Sequence, residues 1–95
     1  MTVFGEAVLA KFAMKHPRSR KPLGRFLSVI RAAVWPHLPA IRQSFPATDY
    51  APATGTMIFD IGGNKYRVVA VVNFEKQAMA IRKVLTREEY NRENL

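Results

Sequence analysis

The chain of 95 residues contains no cysteine. Disulfide bridges, thiolate-bound zinc and a cysteine nucleophile are therefore excluded. No uncharged apolar stretch approaches the roughly 18–20 residues that a membrane span requires. The first residues carry Glu6 and Lys11 without the basic start of a signal peptide. These absences favour a cytoplasmic protein with no membrane partner, folded as a single domain over residues 1–95.

Several catalytic motifs are also missing. The sequence has no phosphate-binding P-loop, no dinucleotide glycine fingerprint and no G-x-S-x-G elbow. His16 and His37 lack acidic partners at metal-ligand spacing. Asp60 and Glu75 stand alone, which argues against a hydrolase with paired carboxylates. We therefore expect neither a metal nor a small-molecule cofactor.

Acidic residues are scarce, and their distribution is uneven. Lysine and arginine total 15 against 7 aspartates and glutamates, giving a net charge of +8. No acidic residue lies between Glu6 and Asp49. Cations fall throughout that interval, at Lys11, Lys15, Arg18, Arg20, Lys21, Arg25, Arg31 and Arg42. A surface of one sign gives up helix ion pairs and attracts polyanions, of which nucleic acid is the commonest.

The first half of the chain has a helical period. Phe4, Val8 and Phe12 recur every four residues, and the residue before Pro17 is a natural helix stop. The apolar positions of the next segment follow the spacing i, i+3, i+4, i+7, i+11, namely Leu23, Phe26, Leu27, Ile30 and Val34. The predicted helices run from about Phe4 to His16, Lys21 to Trp35 and Pro39 to Ser44. Residues 46–55 are predicted as a loop.

The second half has the character of strands. Three apolar runs are separated by short polar turns at residues 62–65 and 75–77, and they cover Met57–Ile61, Tyr66–Phe74 and Met79–Leu85. Strict alternation would place Ala78, Ala80, Arg82 and Val84 on one face. Thr86 is suited to cap a short helical turn. The predicted class is α+β, with two to three N-terminal helices on one face of a small antiparallel sheet, the other face partly open, and a short C-terminal helical turn.

Cationic and aromatic residues collect at the strand ends together with one amide, Asn64; they are Lys65, Tyr66, Arg67, Arg82, Arg87 and Tyr90. The runs F-D-I-G-G-N-K-Y-R-V-V (residues 59–69) and A-I-R-K-V-L-T-R-E-E-Y-N (residues 80–91) resemble the HigB-type toxins of the RelE superfamily. That family shows F-x-I-G-G-N-x-x-R-[LV] and I-R-x-V-x-T-H-x-E-Y. The K-H-P run at residues 15–17 is also similar to the family.

The resemblance implies a RelE-like fold and a type II toxin–antitoxin toxin. Such a toxin is an endoribonuclease that cuts mRNA, usually on the translating ribosome, and a helix-turn-helix antitoxin of the HigA type neutralises it. The reaction is expected to be independent of metal. A small sheet with two helices on one face agrees with the arrangement that periodicity predicts.

The resemblance also suggests roles for individual residues. Arg67 is the first candidate to stabilise the phosphate in the transition state, followed by Arg87 and Arg82. The family usually has histidine at the position of Arg87, and a guanidinium is not an ordinary base. Proton transfer would then fall to Tyr90 or Lys65. The expected RNA-binding residues are Asn64, Arg82 and Lys83.

Other interpretations remain open. The chain could be a non-catalytic nucleic-acid-binding module, which the missing histidine favours, or a basic protein-interaction domain. Tyr90 could merely pack against the sheet, and Arg82 could pair with Asp60 or Glu75. Tyr66 and Trp35 are expected in the core.

Overall fold

The computed structural model describes residues 1–93. The helices are α1 (Glu6–Lys15), α2 (Arg20–Ala32), α3 (Leu38–Ser44) and α4 (Arg87–Arg92), with a 3₁₀ turn at Pro17–Ser19 between the first two. The strands are β1 (Thr2–Phe4), β2 (Asp49–Ala51), β3 (Thr56–Ile61), β4 (Tyr66–Asn73) and β5 (Ala78–Thr86). No helix within residues 1–93 is long and apolar enough to cross a membrane. The α+β class is confirmed.

The five strands form one mixed sheet in the order β1-β5-β4-β3-β2. Its central part is the antiparallel meander β3-β4-β5 that the sequence predicts. The prediction of three strands, all antiparallel, is wrong because each edge carries one more short strand. β1 pairs with β5 in parallel, and β2 pairs with β3 antiparallel. β2 lies within residues 46–55, which were predicted as a loop.

The spacing of Phe4 from Val8 predicts that Phe4 lies in the first helix. This prediction is wrong, because Phe4 belongs to strand β1. Gly5 makes the change from strand to helix at a φ of +89°, where side chains are disfavoured. A Cβ on Gly5 would stand 2.7 Å from the carbonyl oxygen of Ile81. The close approach of β1 to β5 therefore requires glycine at this position.

The N-terminal helices α1, α2 and α3 cover one face of the sheet, as predicted. Leu23, Phe26 and Ile30 of α2 are buried, in agreement with the helical spacing. They join a core that includes Phe59 of β3 and Val68 of β4. Burial of each such side chain is worth about 1.5–3 kcal/mol relative to its exposed state.

Trp35 and His37 both have structural roles in the helical layer. Trp35, expected in the core, is buried with its ring edge against Phe45. His37 caps α3, its Nδ1 accepting a hydrogen bond from the backbone N–H of Ala40 at 3.3 Å. The His37 ring therefore acts as the N-cap of α3.

A bulge in β5 changes which side chains share a face. Val69 of β4 pairs with Lys83 and Ala70 pairs with Ile81, so Arg82 is an extra residue on β5. The alternation reverses there, and Val84 joins Ile81 in the core. The prediction that Arg82 and Val84 lie on one face is wrong, because strict alternation assumes an unbroken ladder.

The opposite face of the sheet is closed where α4 follows β5. Ile58 and Val69 on that face are each only 2% exposed, and Arg67 is 8% exposed. Tyr90 of α4 lies over Arg67. This short helix is therefore a cover for the sheet end on which the candidate residues lie.

Candidate active site

A concavity of about 480 Å³ opens between the β3–β4 turn and the start of α4. It is lined by Gly63, Asn64, Lys65, Thr86, Arg87 and Glu88, and we call it the turn–helix concavity. Three residues that the sequence singled out meet here, namely Asn64, Lys65 and Arg87. Both Lys65 and Arg87 are exposed, so their charges are available to a ligand.

The turn that forms one wall has an unusual backbone. Gly62, Gly63 and Asn64 have φ values of 65°, 64° and 72°. Glycine and asparagine adopt this left-handed region at the lowest cost. A Cβ on Gly62 would also lie 3.0 Å from the ring of Tyr66. The G-G-N sequence is therefore what lets a four-residue turn present Lys65 beside α4.

The other wall is the first turn of α4. Thr86 caps this helix as predicted, and its hydroxyl accepts a hydrogen bond from the Glu89 N–H at 3.2 Å. The Glu89 carboxylate accepts one in return from the Thr86 N–H at 2.9 Å. The Arg87 N–H donates to the Lys65 carbonyl at 2.9 Å. That last bond joins the two walls and holds Lys65 and Arg87 side by side.

Arg67 lies behind the concavity and is tied to the protein on several sides. Its Nε lies 2.8 Å from Oδ1 of Asp60. Nη1 donates to the carbonyls of Asn64 and Tyr66 at 3.1 and 3.2 Å, and Nη2 donates to Oδ1 of Asn64 at 2.6 Å. Since three hydrogen bonds and one ion pair engage this guanidinium, it holds the β3–β4 turn in its shape.

The Tyr90 ring completes the surroundings of Arg67. The guanidinium carbon lies 5.4 Å from the centroid of this ring, within the range of a cation–π contact. Tyr90 is half-buried. Arg67 therefore links the turn, through Asn64, to α4, through Tyr90. Tyr66 points into the core, as expected, with its ring edge on Phe12.

The two remaining candidates lie outside this concavity. Arg82 is exposed on the β5 bulge and does not pair with Asp60, which Arg67 engages. Lys83 lies 2.8 Å from the Glu93 carboxylate, in a pair whose side chains are 40% and 38% exposed. Such an exposed pair contributes about 0–1 kcal/mol and leaves Lys83 available to a ligand.

Comparison with known proteins identifies the family. Residues 19–93 match the model of HigB_toxin, described as the RelE-like toxic component of a toxin-antitoxin system. The chain belongs to this family. It is 30% identical over 92 residues to the mRNA interferase toxin HigB of Escherichia coli K12, covering 96% of this chain and 88% of the relative. The mRNA interferase HigB of Shigella flexneri gives the same values. That of Escherichia coli O6:H1 strain CFT073 is 25% identical over 93 residues, covering 97% of this chain and 90% of the relative.

Membership of the HigB family confirms the resemblance carried by the G-G-N hairpin and the closing E-Y segment. What the sequence did not reveal is the ion pair between Asp60 and Arg67. A signal for it was present: a hairpin symmetric about residues 62–65 pairs residue 61 with 66 and residue 60 with 67. Asp60 stands alone in the sequence only as long as its partner across the hairpin is left out of account.

The capping carboxylate of α4 makes a pH-dependent contribution to stability. The pKa of Glu89 lies below its ordinary value of 4.5, chiefly because the Thr86 N–H donates to the ionised carboxylate. The folded state thus favours the charged form. This contribution is complete above about pH 4.5 and is lost as the pH falls through the lower, folded-state value.

We expect Glu89→Gln to reduce the loss of folding stability at low pH. Glutamine keeps an oxygen acceptor for the capping box but does not titrate. The free energy of unfolding in urea, measured at pH 6 and pH 3, should therefore fall less in this variant than in the original chain. Equal losses in the two proteins would contradict the role of the Glu89 charge.

Proposed function

We propose that the chain is an endoribonuclease that cleaves mRNA and so inhibits translation, and that the turn–helix concavity is its active site. Membership of a toxin family and the mRNA interferase names of its relatives support the reaction. The site assignment rests on the hydrogen bond from the Arg87 N–H to the Lys65 carbonyl. Two cations from separate hairpin arms are thereby kept at one exposed concavity.

The proposed chemistry uses the substrate's own nucleophile. The ribose 2′-oxygen loses its proton to solvent and attacks the adjacent phosphorus, and the bond to the 5′-oxygen breaks. The products are a 2′,3′-cyclic phosphate and a 5′-hydroxyl. Negative charge grows on the non-bridging phosphate oxygens in the transition state. Arg87 suits this charge because its planar, permanently charged guanidinium can donate two parallel hydrogen bonds.

The departing 5′-oxygen needs a proton. Lys65 lies beside Arg87 and is exposed, so its ammonium can donate that proton as a general acid. Tyr90, the other residue considered for proton transfer, lies with its ring over Arg67. We therefore assign proton donation to Lys65 and a positioning role to Tyr90.

Arg67, first expected to bind the phosphate, takes a positioning role in this proposal. Its burial and its ion pair with Asp60 favour a structural cation over a ligand-binding one. Through Arg67 the carbonyl and Oδ1 of Asn64 are held in place. Because Oδ1 is used in this way, the Asn64 amide nitrogen is the group that remains to donate to RNA.

Arg82 and Lys83 extend the cationic surface along β5. We assign them to backbone phosphates of the flanking nucleotides, where positive charge raises affinity without reading sequence. Arg82 is exposed and Lys83 is only partly neutralised by Glu93. Their effect should therefore weaken with added salt.

The proposal includes two partners and a compartment. We infer that the toxin acts on mRNA at the ribosome in the cytoplasm and that a helix-turn-helix antitoxin of the HigA type neutralises it. The family description supports an antitoxin partner, and the resemblance of the closing segment supports its type. The net charge of +8 supports attraction to ribosomal RNA.

Primer extension on cellular transcripts after induction tests the reaction directly. We expect new 5′ ends within coding regions, each bearing a hydroxyl. With purified ribosomes and mRNA, cleavage should leave a 2′,3′-cyclic phosphate on the upstream fragment, because the proposed nucleophile is the ribose 2′-oxygen. A 5′-phosphate and a 3′-hydroxyl at the cut would contradict this mechanism.

Loss of translation with intact transcripts would instead indicate a nucleic-acid-binding module without catalysis. A chain that binds only an acidic protein, with no affinity for RNA, would be a protein-interaction domain. Both outcomes would overturn the proposed nuclease function.

A further inference from the structure

A second and larger concavity, of about 640 Å³, lies between α1 and the segment where β5 passes into α4. We call it the α1 groove. Glu89 lines it, whereas the preceding residue Glu88 lines the turn–helix concavity. The two concavities thus flank the first turn of α4. An RNA strand that leaves the turn–helix concavity therefore crosses only the first turn of α4 before it reaches the α1 groove.

The α1 groove combines an apolar floor with a cationic rim. Val8 and Phe12 of α1 and Val84 of β5 contribute apolar surface. Lys11 and Lys15, one helical turn apart on α1, line the same groove, and both are exposed. Within residues 1–93, neither lysine lies in an ion pair with an acidic side chain. Their charges are therefore available to an anionic ligand.

Within residues 1–93, the acidic residue of this groove, Glu89, forms no ion pair with those lysines. The Glu89 carboxylate accepts the Thr86 N–H and closes the capping box. The negative charge of Glu89 therefore lies at the N-terminus of α4, where the Thr86 N–H stabilises it. The rim consequently keeps a cationic character, which complements a phosphate backbone.

His16 adds a planar surface to the groove. Its ring stacks on Phe12 with centroids 4.3 Å apart and an interplanar angle of 26°. Phe12 in turn meets Tyr66 edge-on at 5.7 Å, which supports the stack from behind. His16 is only half-buried, and within residues 1–93 neither ring nitrogen has a hydrogen-bond partner. A nucleobase can extend such a stack, since every base has a π-face.

From these observations we infer that the α1 groove binds a nucleotide of the RNA strand next to the one being cleaved. The base lies on the apolar floor against His16, and the backbone phosphates contact Lys11 and Lys15. This inference rests on the proposed function and extends its substrate path. A segment of a protein partner is the competing occupant. RNA is favoured because a helix in a groove needs a longer apolar strip than the few side chains that the lysines surround here.

The test compares two double variants of exposed lysines. Lys11→Ala with Lys15→Ala removes the rim, and Lys21→Ala with Lys76→Ala removes the same charge elsewhere. Binding is measured with a 2′-O-methyl oligoribonucleotide of mixed sequence, which resists cleavage. We expect the rim variant to bind about 10-fold less tightly at low salt. The slope of log Kd against log salt should fall by roughly 1.4, about 0.7 for each lost phosphate contact. The control variant should keep most of the RNA affinity and most of the salt slope of the original chain.

His16 provides a second measurement. His16→Ala should weaken binding about 5-fold or more, the size of one lost stacking contact. His16→Phe keeps a ring on Phe12 and should retain affinity. For cleavage, we expect the rim variant to raise KM with kcat nearly unchanged, since the groove lies away from the reacting phosphate.

The results separate this inference from the proposed function. If the rim variant bound RNA with unchanged affinity and salt slope, the inference would be wrong even if the toxin cleaved RNA. If it lost antitoxin binding alone, the groove would be a protein-docking surface. If the original chain failed to cleave RNA but bound the oligonucleotide through Lys11 and Lys15, the groove would stand without the nuclease.

Discussion

Replacing Arg87 with alanine should lower the rate of RNA cleavage by roughly 100- to 1,000-fold, the usual effect of losing one preorganised donor to a developing anion. Arg87 is exposed at the first position of α4, and its backbone N–H, which the substitution retains, makes the bond to Lys65. The fold should therefore persist, with a stability change within about 0.5 kcal/mol. Rates are measured on mRNA in a purified translation system, and folding by thermal unfolding.

Arg18→Ala is the matched control, because Arg18 is an exposed arginine of the 3₁₀ turn and lines neither the turn–helix concavity nor the α1 groove. It should change the cleavage rate only slightly. Arg87→Lys keeps the charge but loses the two-pronged donor, so we expect an intermediate rate. Full activity in a folded Arg87→Ala variant would remove Arg87 from the mechanism.

Replacing Asp60 with alanine should destabilise the fold by about 3–5 kcal/mol, since it leaves the buried Arg67 guanidinium without its counter-charge. That is a large share of the roughly 5–15 kcal/mol that stabilises a small domain. Unfolding in urea, monitored by the fluorescence of Trp35, measures the change. A variant as stable as the original chain would show that Arg67 does not depend on Asp60.

Two controls distinguish this effect from a general loss of charge. Glu6→Gln breaks the ion pair with Arg31, whose side chains are both about half exposed, and should cost less than about 1 kcal/mol. Asp60→Leu combined with Arg67→Met replaces the buried pair with apolar groups and should recover much of the lost stability. The double variant is expected to lack nuclease activity, because the β3–β4 turn and α4 lose the guanidinium that links them.

Local sequence patterns were sufficient for several elements of this protein. The apolar spacing of Leu23, Phe26 and Ile30 predicted a helix with that face buried, as observed. Thr86 was recognised as a helix cap from its side chain alone. The turn at residues 62–65 was predictable from its short, polar sequence between two apolar runs, and Gly62, Gly63 and Asn64 do adopt a positive φ there. In each case the interactions join residues within a few positions along the chain.

The candidate site was predictable in part. Asn64, Lys65 and Arg87 do meet at one concavity, since a hairpin and the end of the following strand bring them together. The roles of Arg67 and Arg82 were harder to predict. The face that Arg82 occupies could be predicted only if the hydrogen-bond ladder between β4 and β5 were unbroken, and a bulge interrupts it. The ion pair of Arg67 depends on Asp60, its partner on the neighbouring strand.

The sequence by itself determined the helical periods, the meander, the cap of α4 and the excess of positive charge. Only the tertiary structure decided the two edge strands, the bulge at Arg82, the ion pair of Asp60 with Arg67 and the groove beside α1. The physical reason is the distance along the chain over which each interaction acts. Turns, caps and amphipathic faces are local, whereas β1 joins β5 across more than seventy residues, a pairing that depends on global packing and leaves no local signal.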